Sequence, residues 1–173
     1  MQRIEYFPIV NEEGEVIGKS TRTECHSKTF LLHPVVHLHI LNSKGELYLQ
    51  KRSATKDIQP NKWDTAVGGH VDYGEDILTA LFREAREELG VSDFKPQFMI
   101  RYKFTSDVES ELVHSFYTIY EGNITPDMDE VSEGKFWKPE ELQNGIGKNI
   151  FTPNFEKEFL QITKEKLLPV GLE

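Results

Sequence analysis

One stretch of this chain leaves its fold little freedom. From Gly69 to Val91 it reads GHVDYGEDILTALFREAREELGV. Ile77, Leu81, Ala85 and Leu89 recur at helical spacing, with Ala80 and Phe82 beside them, which predicts a helix with one buried stripe. Asp76 is a good N-cap type and Gly90 a good terminator. A second face of the same helix carries Glu84, Glu87 and Glu88, at positions i, i+3 and i+4. Three like charges so close repel one another unless a cation sits among them. Hard divalent ions such as Mg²⁺ take oxygen ligands and often share them with substrate phosphates. The segment therefore predicts a helix that lays one face on a sheet and offers the other to a cation and a phosphate. A surface helix with a solvated acidic face is the plainer alternative.

The rest of the chain supplies the sheet. Residues 4–10 and 11–20 read as a short hairpin with Gly14 at its turn, and residues 34–41 as a strand turning at 42–45 into a partner at 46–51. Lys51 to Lys62, interrupted by Pro60, reads as a loop, and Trp63 to Val67 as a short strand entering Gly68-Gly69. Further strands are predicted at 97–104, 112–120 and 135–138, a helix start at Pro139, and an amphipathic helix over 153–167 with Phe155, Phe159 and Ile162 on one side. His37 and His39 alternate on one face of their strand. Two polar residues there predict the solvent side of a sheet, with a pocket lining as the other reading.

Composition sets outer limits. The 173 residues suffice for one domain with a real core, and 38% apolar and 11% aromatic residues argue against disorder. A net charge of −9 argues against a nucleic-acid polymer as partner, but not against a nucleotide, whose phosphates local basic groups and a metal can hold. Cys25 is the only cysteine, so no internal disulfide forms, which is compatible with a cytoplasmic location. The first residues carry acids where a signal peptide needs an apolar run, and no stretch approaches a membrane span.

Position by position, the Gly69–Val91 segment resembles the signature of the Nudix hydrolases, G-x5-E-x7-R-E-U-x-E-E-x-G-U with U aliphatic; Ala85 is the one small choice at a U position. The resemblance implies an α/β fold, a Nudix-type α/β/α sandwich around a mixed β-sheet, spanning residues 1–173 as one domain. It implies hydrolysis of a diphosphate bond in a nucleoside diphosphate linked to another group, with Mg²⁺ as cofactor and Mn²⁺ as a substitute. In the family's terms Glu84, Glu87 and Glu88 match metal ligands, and the Gly69 carbonyl a backbone ligand. Arg83 matches the arginine that orients the acids, and Glu75 ties loop to helix. The base that activates water is a helix glutamate in some members and a later glutamate in others, for which Glu109, Glu111, Glu130 and Glu133 are the candidates.

The region before the signature resembles a second Nudix-fold enzyme, isopentenyl-diphosphate isomerase. Cys25-His26, Leu31-Leu32-His33, the NSKGELYLQKR stretch and Trp63 with Gly69-His70 carry that resemblance. It implies a metal held by His26, His33, His70, Glu109 and Glu111, and a diphosphate gripped by Arg52 and Lys56. Imidazole suits Zn²⁺ or Mn²⁺ better than Mg²⁺. The isomerase requires a catalytic cysteine directly before its Gly-His pair, and this chain has Gly68 there. The hydrolase reading is therefore preferred. An isomerase-like enzyme and a non-catalytic nucleotide sensor are the alternatives; a sensor has no need of the intact acidic cluster.

Overall fold

The structure, a computed structural model, describes residues 3–56 and 58–169. Residue 57, inside the predicted loop, and residues 1–2 and 170–173 of the predicted domain lie outside the described residues. The chain opens with a two-stranded antiparallel ribbon, β1 (Tyr6–Val10) and β2 (Val16–Thr21), turning through Gly14 at φ +85°. A mixed sheet follows. Its strands are β3 (Leu32–Leu41), β4 (Leu47–Arg52), β5 (Trp63–Thr65), β6 (Val67–His70), β7 (Gln97–Thr105), β8 (Ser110–Ile119) and β9 (Val131–Trp137). The order runs β5-β4-β3-β8-β7, with β6 also on β3 and β9 on β4. β3 and β8 run parallel along ten residue pairs, and the other pairings are antiparallel.

Helices cover both faces, which is the predicted sandwich. Every second residue of β3, Val36, Leu38 and Ile40, packs into one buried cluster with Ala80, Leu81, Ala85 and Leu89 of α2 (Ile77–Leu89). Leu41, Leu47 and Leu49 pack into a second cluster with Leu142 of α3 (Pro139–Gly145) and Phe155, Phe159 and Ile162 of α4 (Pro153–Lys164). The caps of α2 are those predicted: Asp76 accepts from the Thr79 N–H, and Gly90 takes the left-handed conformation at φ +64°. A side chain there would be strained.

Three local features differ from expectation. Residues Arg22–Cys25 form a one-turn helix, α1, capped by Thr21, too short for any periodic signal. The predicted strand ending at Val67 is two strands, because the chain changes partner at Ala66 from β4 to β3 and carries Gly68-Gly69 into the sheet. The last strand begins at Val131 rather than 135, since pairing with β4 organises residues whose own pattern is weak.

Candidate active site

The acidic face of α2 closes against β6. Gly69 lies so near Glu84 that a Cβ there would fall 2.1 Å from the carboxyl carbon, so the absence of a side chain lets carboxylate and backbone meet. Arg83 holds the arrangement together. Its Nε and Nη2 donate to the two Glu75 oxygens at 2.8 and 2.9 Å, its Nη1 to Glu84 at 2.8 Å and Glu87 at 3.3 Å, and its Nη2 to the His70 carbonyl at 3.0 Å. Glu75 in turn accepts from the Asp72 N–H at 3.0 Å. Such a bidentate, charge-assisted fork fixes geometry as well as charge. Glu88 accepts from Gln50 of β4 at 3.0 Å and from the Gly68 N–H at 3.4 Å.

The electrostatics of this cluster ask for a cation. Burial, then the charge of Glu84, push the Glu88 carboxyl up to about 8, against which the Gln50 and Gly68 donors are too weak. Burial also raises Glu84, although Arg83 works against it. Carboxylates that are costly to ionise, gathered against the Gly69 backbone at a strand end, suit a hard divalent cation.

A second cluster lies on the opposite face of β6. His26 follows α1, His33 lies on β3, His70 ends β6 and Glu109 precedes β8, and their ligand atoms all lie within 4.8 Å of one another. His33 Nδ1 donates to the Leu31 carbonyl at 2.8 Å, so in the neutral ring Nε2 bears the lone pair; burial favours that neutral ring, but the hydrogen bonds of Glu109 and Leu31 outweigh it and raise the His33 pKa. That Nε2 faces a Glu109 oxygen at 3.4 Å, and both atoms are buried without a hydrogen bond. With the ring neutral, two acceptors turn toward each other in a buried site and fit a cation between them. The His26 and His70 Nε2 atoms approach to 3.2 Å, and Glu109 lies 2.9 Å from His26. Burial drives His70 well below the imidazole range, whereas His26 and His33 hold Glu109 well below the carboxylate range despite its burial.

Of the five residues that the isomerase resemblance implied, four meet. Glu111 stays outside the group, although it pairs with His33 across β3 and β8. Its carboxyl is pushed to about 7 by burial, then by the charge of Glu109. Lys56 is ion-paired with Glu130, and Arg52 donates to the Ile58 carbonyl at 3.0 Å with Asp64 at 3.6 Å. Glu133 is exposed on β9 opposite Lys51.

His37 and His39 correct the solvent-side expectation. They are 7% and 0% exposed and bind Glu158 of α4. The signal was present in α4, where Glu158 shares the apolar stripe of Phe155, Phe159 and Ile162. Gln50 and Asp64 also went unnoticed, and a lone polar residue in a strand offers no spacing to find it by.

The family model described as NUDIX domain matches residues 31–159, and the chain belongs to this family. Among its relatives, a Nudix hydrolase of Deinococcus radiodurans is 35% identical over 80% of this chain and 81% of its own length. Isopentenyl-diphosphate Delta-isomerase 1 of Photorhabdus laumondii is 32% identical over 92% of this chain and 95% of its own length. A crystal structure of a Deinococcus radiodurans protein superposes with a TM-score of 0.75 at 27% identity, covering 89% of this chain and 96% of that one. The chain is thus a Nudix hydrolase, of a family that cleaves pyrophosphate bonds in small molecules and generally uses divalent metals, and it has isomerase relatives. No described helix is long and apolar enough to cross a membrane.

Proposed function

We propose that this chain, working as one domain, hydrolyses the diphosphate bond of a nucleoside diphosphate linked to another group, with Mg²⁺ or Mn²⁺ at Glu84, Glu87, Glu88 and the Gly69 carbonyl. The observation that carries the reading is the strand-end acidic cluster, in which Arg83 fixes Glu84 and Glu87 while Gln50 and Gly68 fix Glu88. A cation bound there supplies charge neutralisation at the diphosphate and activation of water. The chain's own part is orientation: Arg83 and Glu75 lock loop to helix, so the carboxylates meet the substrate without rearranging. Glu109 is engaged by histidines, Glu130 by Lys56, and Glu133 is exposed on β9 opposite Lys51. Proton removal from water therefore falls to the helix glutamates or Glu111. The nucleoside half of the proposal comes from the family. A panel of nucleotide sugars, dinucleotides and prenyl diphosphates, assayed with Mg²⁺ and with Mn²⁺, tests both halves, and no diphosphate cleavage across it would refute the reading.

The histidine cluster and the isomerase relatives favour one competing reading, an isomerase acting on the double bond of a prenyl diphosphate. Gly68 speaks against it, because a proton shuttle needs an acid or base where this chain has none. The purified protein should leave isopentenyl and dimethylallyl diphosphates unconverted into each other. Isomerised product with its diphosphate intact would reverse the ranking.

A further inference from the structure

One buried polar group has no part in the reading above. Glu158, fully buried on α4, accepts from His37 Nδ1 at 2.6 Å, His39 Nε2 at 2.7 Å, the Tyr102 hydroxyl at 2.5 Å and the Ser115 hydroxyl. Four donors fill the lone pairs of one carboxylate. Burial would raise its pKa, yet the two histidines hold it well below the carboxylate range. An apolar side chain would pack this position at lower cost, so the carboxylate is explained by what it does to a neighbour.

That neighbour is His37. Its Nδ1 is taken by Glu158, while Nε2 lies on the other edge of the ring. The imidazole edge lies toward Gly68, which is exposed: a Cβ at Gly68 would sit 3.6 Å from His37 Cδ2 and 3.8 Å from Nε2, and chain neighbours aside it would meet nothing else within 4 Å. His39 differs, since its Nδ1 is sealed in the core without a partner. The Gly68 N–H meets Glu88 at 3.4 Å, so Gly68 stands between the His37 ring edge and the acidic cluster.

We propose that His37, locked by Glu158, is a substrate-binding residue that donates its Nε2–H to an anionic oxygen of the diphosphate held at the acidic helix. The proposal rests on the diphosphate reading of that site. Burial alone would lower the His37 pKa; the charge and hydrogen bond of Glu158, then Glu111 of β8 and Asp64 of β5, outweigh it and raise it to about 9. Both ring nitrogens then carry protons at neutral pH, and Nε2 offers a charge-assisted bond beside exposed Gly68, whose N–H meets the acidic cluster.

The test uses the full chain, Mg²⁺ and methylenediphosphonate, a diphosphate that cannot be hydrolysed. In calorimetry His37→Leu should weaken binding by roughly ten- to a hundredfold, as loss of a hydrogen bond from a charged donor does. His37→Gln, which keeps a donor, should lie between, and Gly68→Val should weaken binding by covering Nε2 while leaving the buried pair intact. Nitrogen NMR of the parent protein decides even where a variant fails to fold: the His37 Nε2 resonance should shift as methylenediphosphonate is added. An unmoved resonance at saturation, no binding by the parent, or affinity within twofold in a folded His37→Leu would overturn the proposal. Binding through His37 without hydrolysis of any diphosphate would sink the hydrolase reading alone. Hydrolysis with His37 uninvolved would sink this proposal alone.

Discussion

The two faces of β6 hold two sites built in opposite ways. On the helix side, Glu75, Arg83, Glu84, Glu87 and Glu88 come from one continuous segment, and Glu87 keeps 55% of its side chain exposed. On the other side, His26, His33, His70 and Glu109 come from four separate parts of the chain, and His33 is completely buried. The first site spends its charges against one another and needs an arginine to hold them. The second sets three imidazoles around one carboxylate, so it gathers ligands with little repulsion between carboxylates. A hard ion fits the first donor set, and a softer one such as Zn²⁺ or Mn²⁺ fits the second.

That division can be broken by experiment. The largest effect should come from Glu88→Gln or Glu87→Gln, each expected to lose roughly a hundredfold or more in turnover with Mg²⁺. Near-normal hydrolysis by both would remove the helix as the reacting face. Next, His33→Ala should weaken Zn²⁺ binding by at least roughly tenfold, while Glu88→Gln leaves it within about threefold. Equal losses in both variants, followed by equilibrium dialysis, would show that the faces form one site.

The histidines near Glu158 sharpen the comparison further, since they gain a charge on acidification where the raised carboxyls of the acidic face lose one. The His37 pKa is raised from 6.5 to about 9 on folding, so its contribution to stability is complete below pH 6.5 and is lost as pH rises through about 9. Glu158 is lowered, so its contribution is present above its ordinary value and is lost on acidification. In the metal-free protein the raised Glu111 and Glu88 carboxyls cost stability as pH climbs from their ordinary value to about 7 and about 8, and His37 adds an alkaline loss of order 3 kcal/mol, at roughly 1.4 kcal/mol per pKa unit. Denaturant melts should lose the slope between about pH 8 and 9 in His37→Leu; an unchanged slope there would assign that loss elsewhere. The smallest effect is expected at Arg52, which already has Asp64 and the Ile58 carbonyl nearby. If it also grips phosphate, Arg52→Ala raises the Michaelis constant a few-fold with turnover little changed. Unchanged constants would leave Arg52 as a strut of its loop.

What could be read from the sequence follows the same division. The fold class, the α2 caps and the acidic cluster were legible because they rest on local spacing: a helix repeats, and so do the residues it aligns. The histidine ring could be read only through its resemblance to an isomerase, and Glu111 shows the limit of that route. It has the right type and spacing, but lies outside the group of ligand atoms. His37 and His39 depart from the expected solvent face because alternation along a strand says which residues share a face, not what covers it. The cover is Glu158, 121 positions from His37, and no local pattern links them.

Gly69 and His70 are consecutive, yet Gly69 presses against Glu84 while the His70 ring stacks on Phe7 at 4.4 Å among the histidines. A single peptide link is thus a party wall between two rooms. Arg83 clamps it from one side through the His70 carbonyl. Whatever slackens that clamp shakes both rooms at once, so disorder cannot be confined to either tenant.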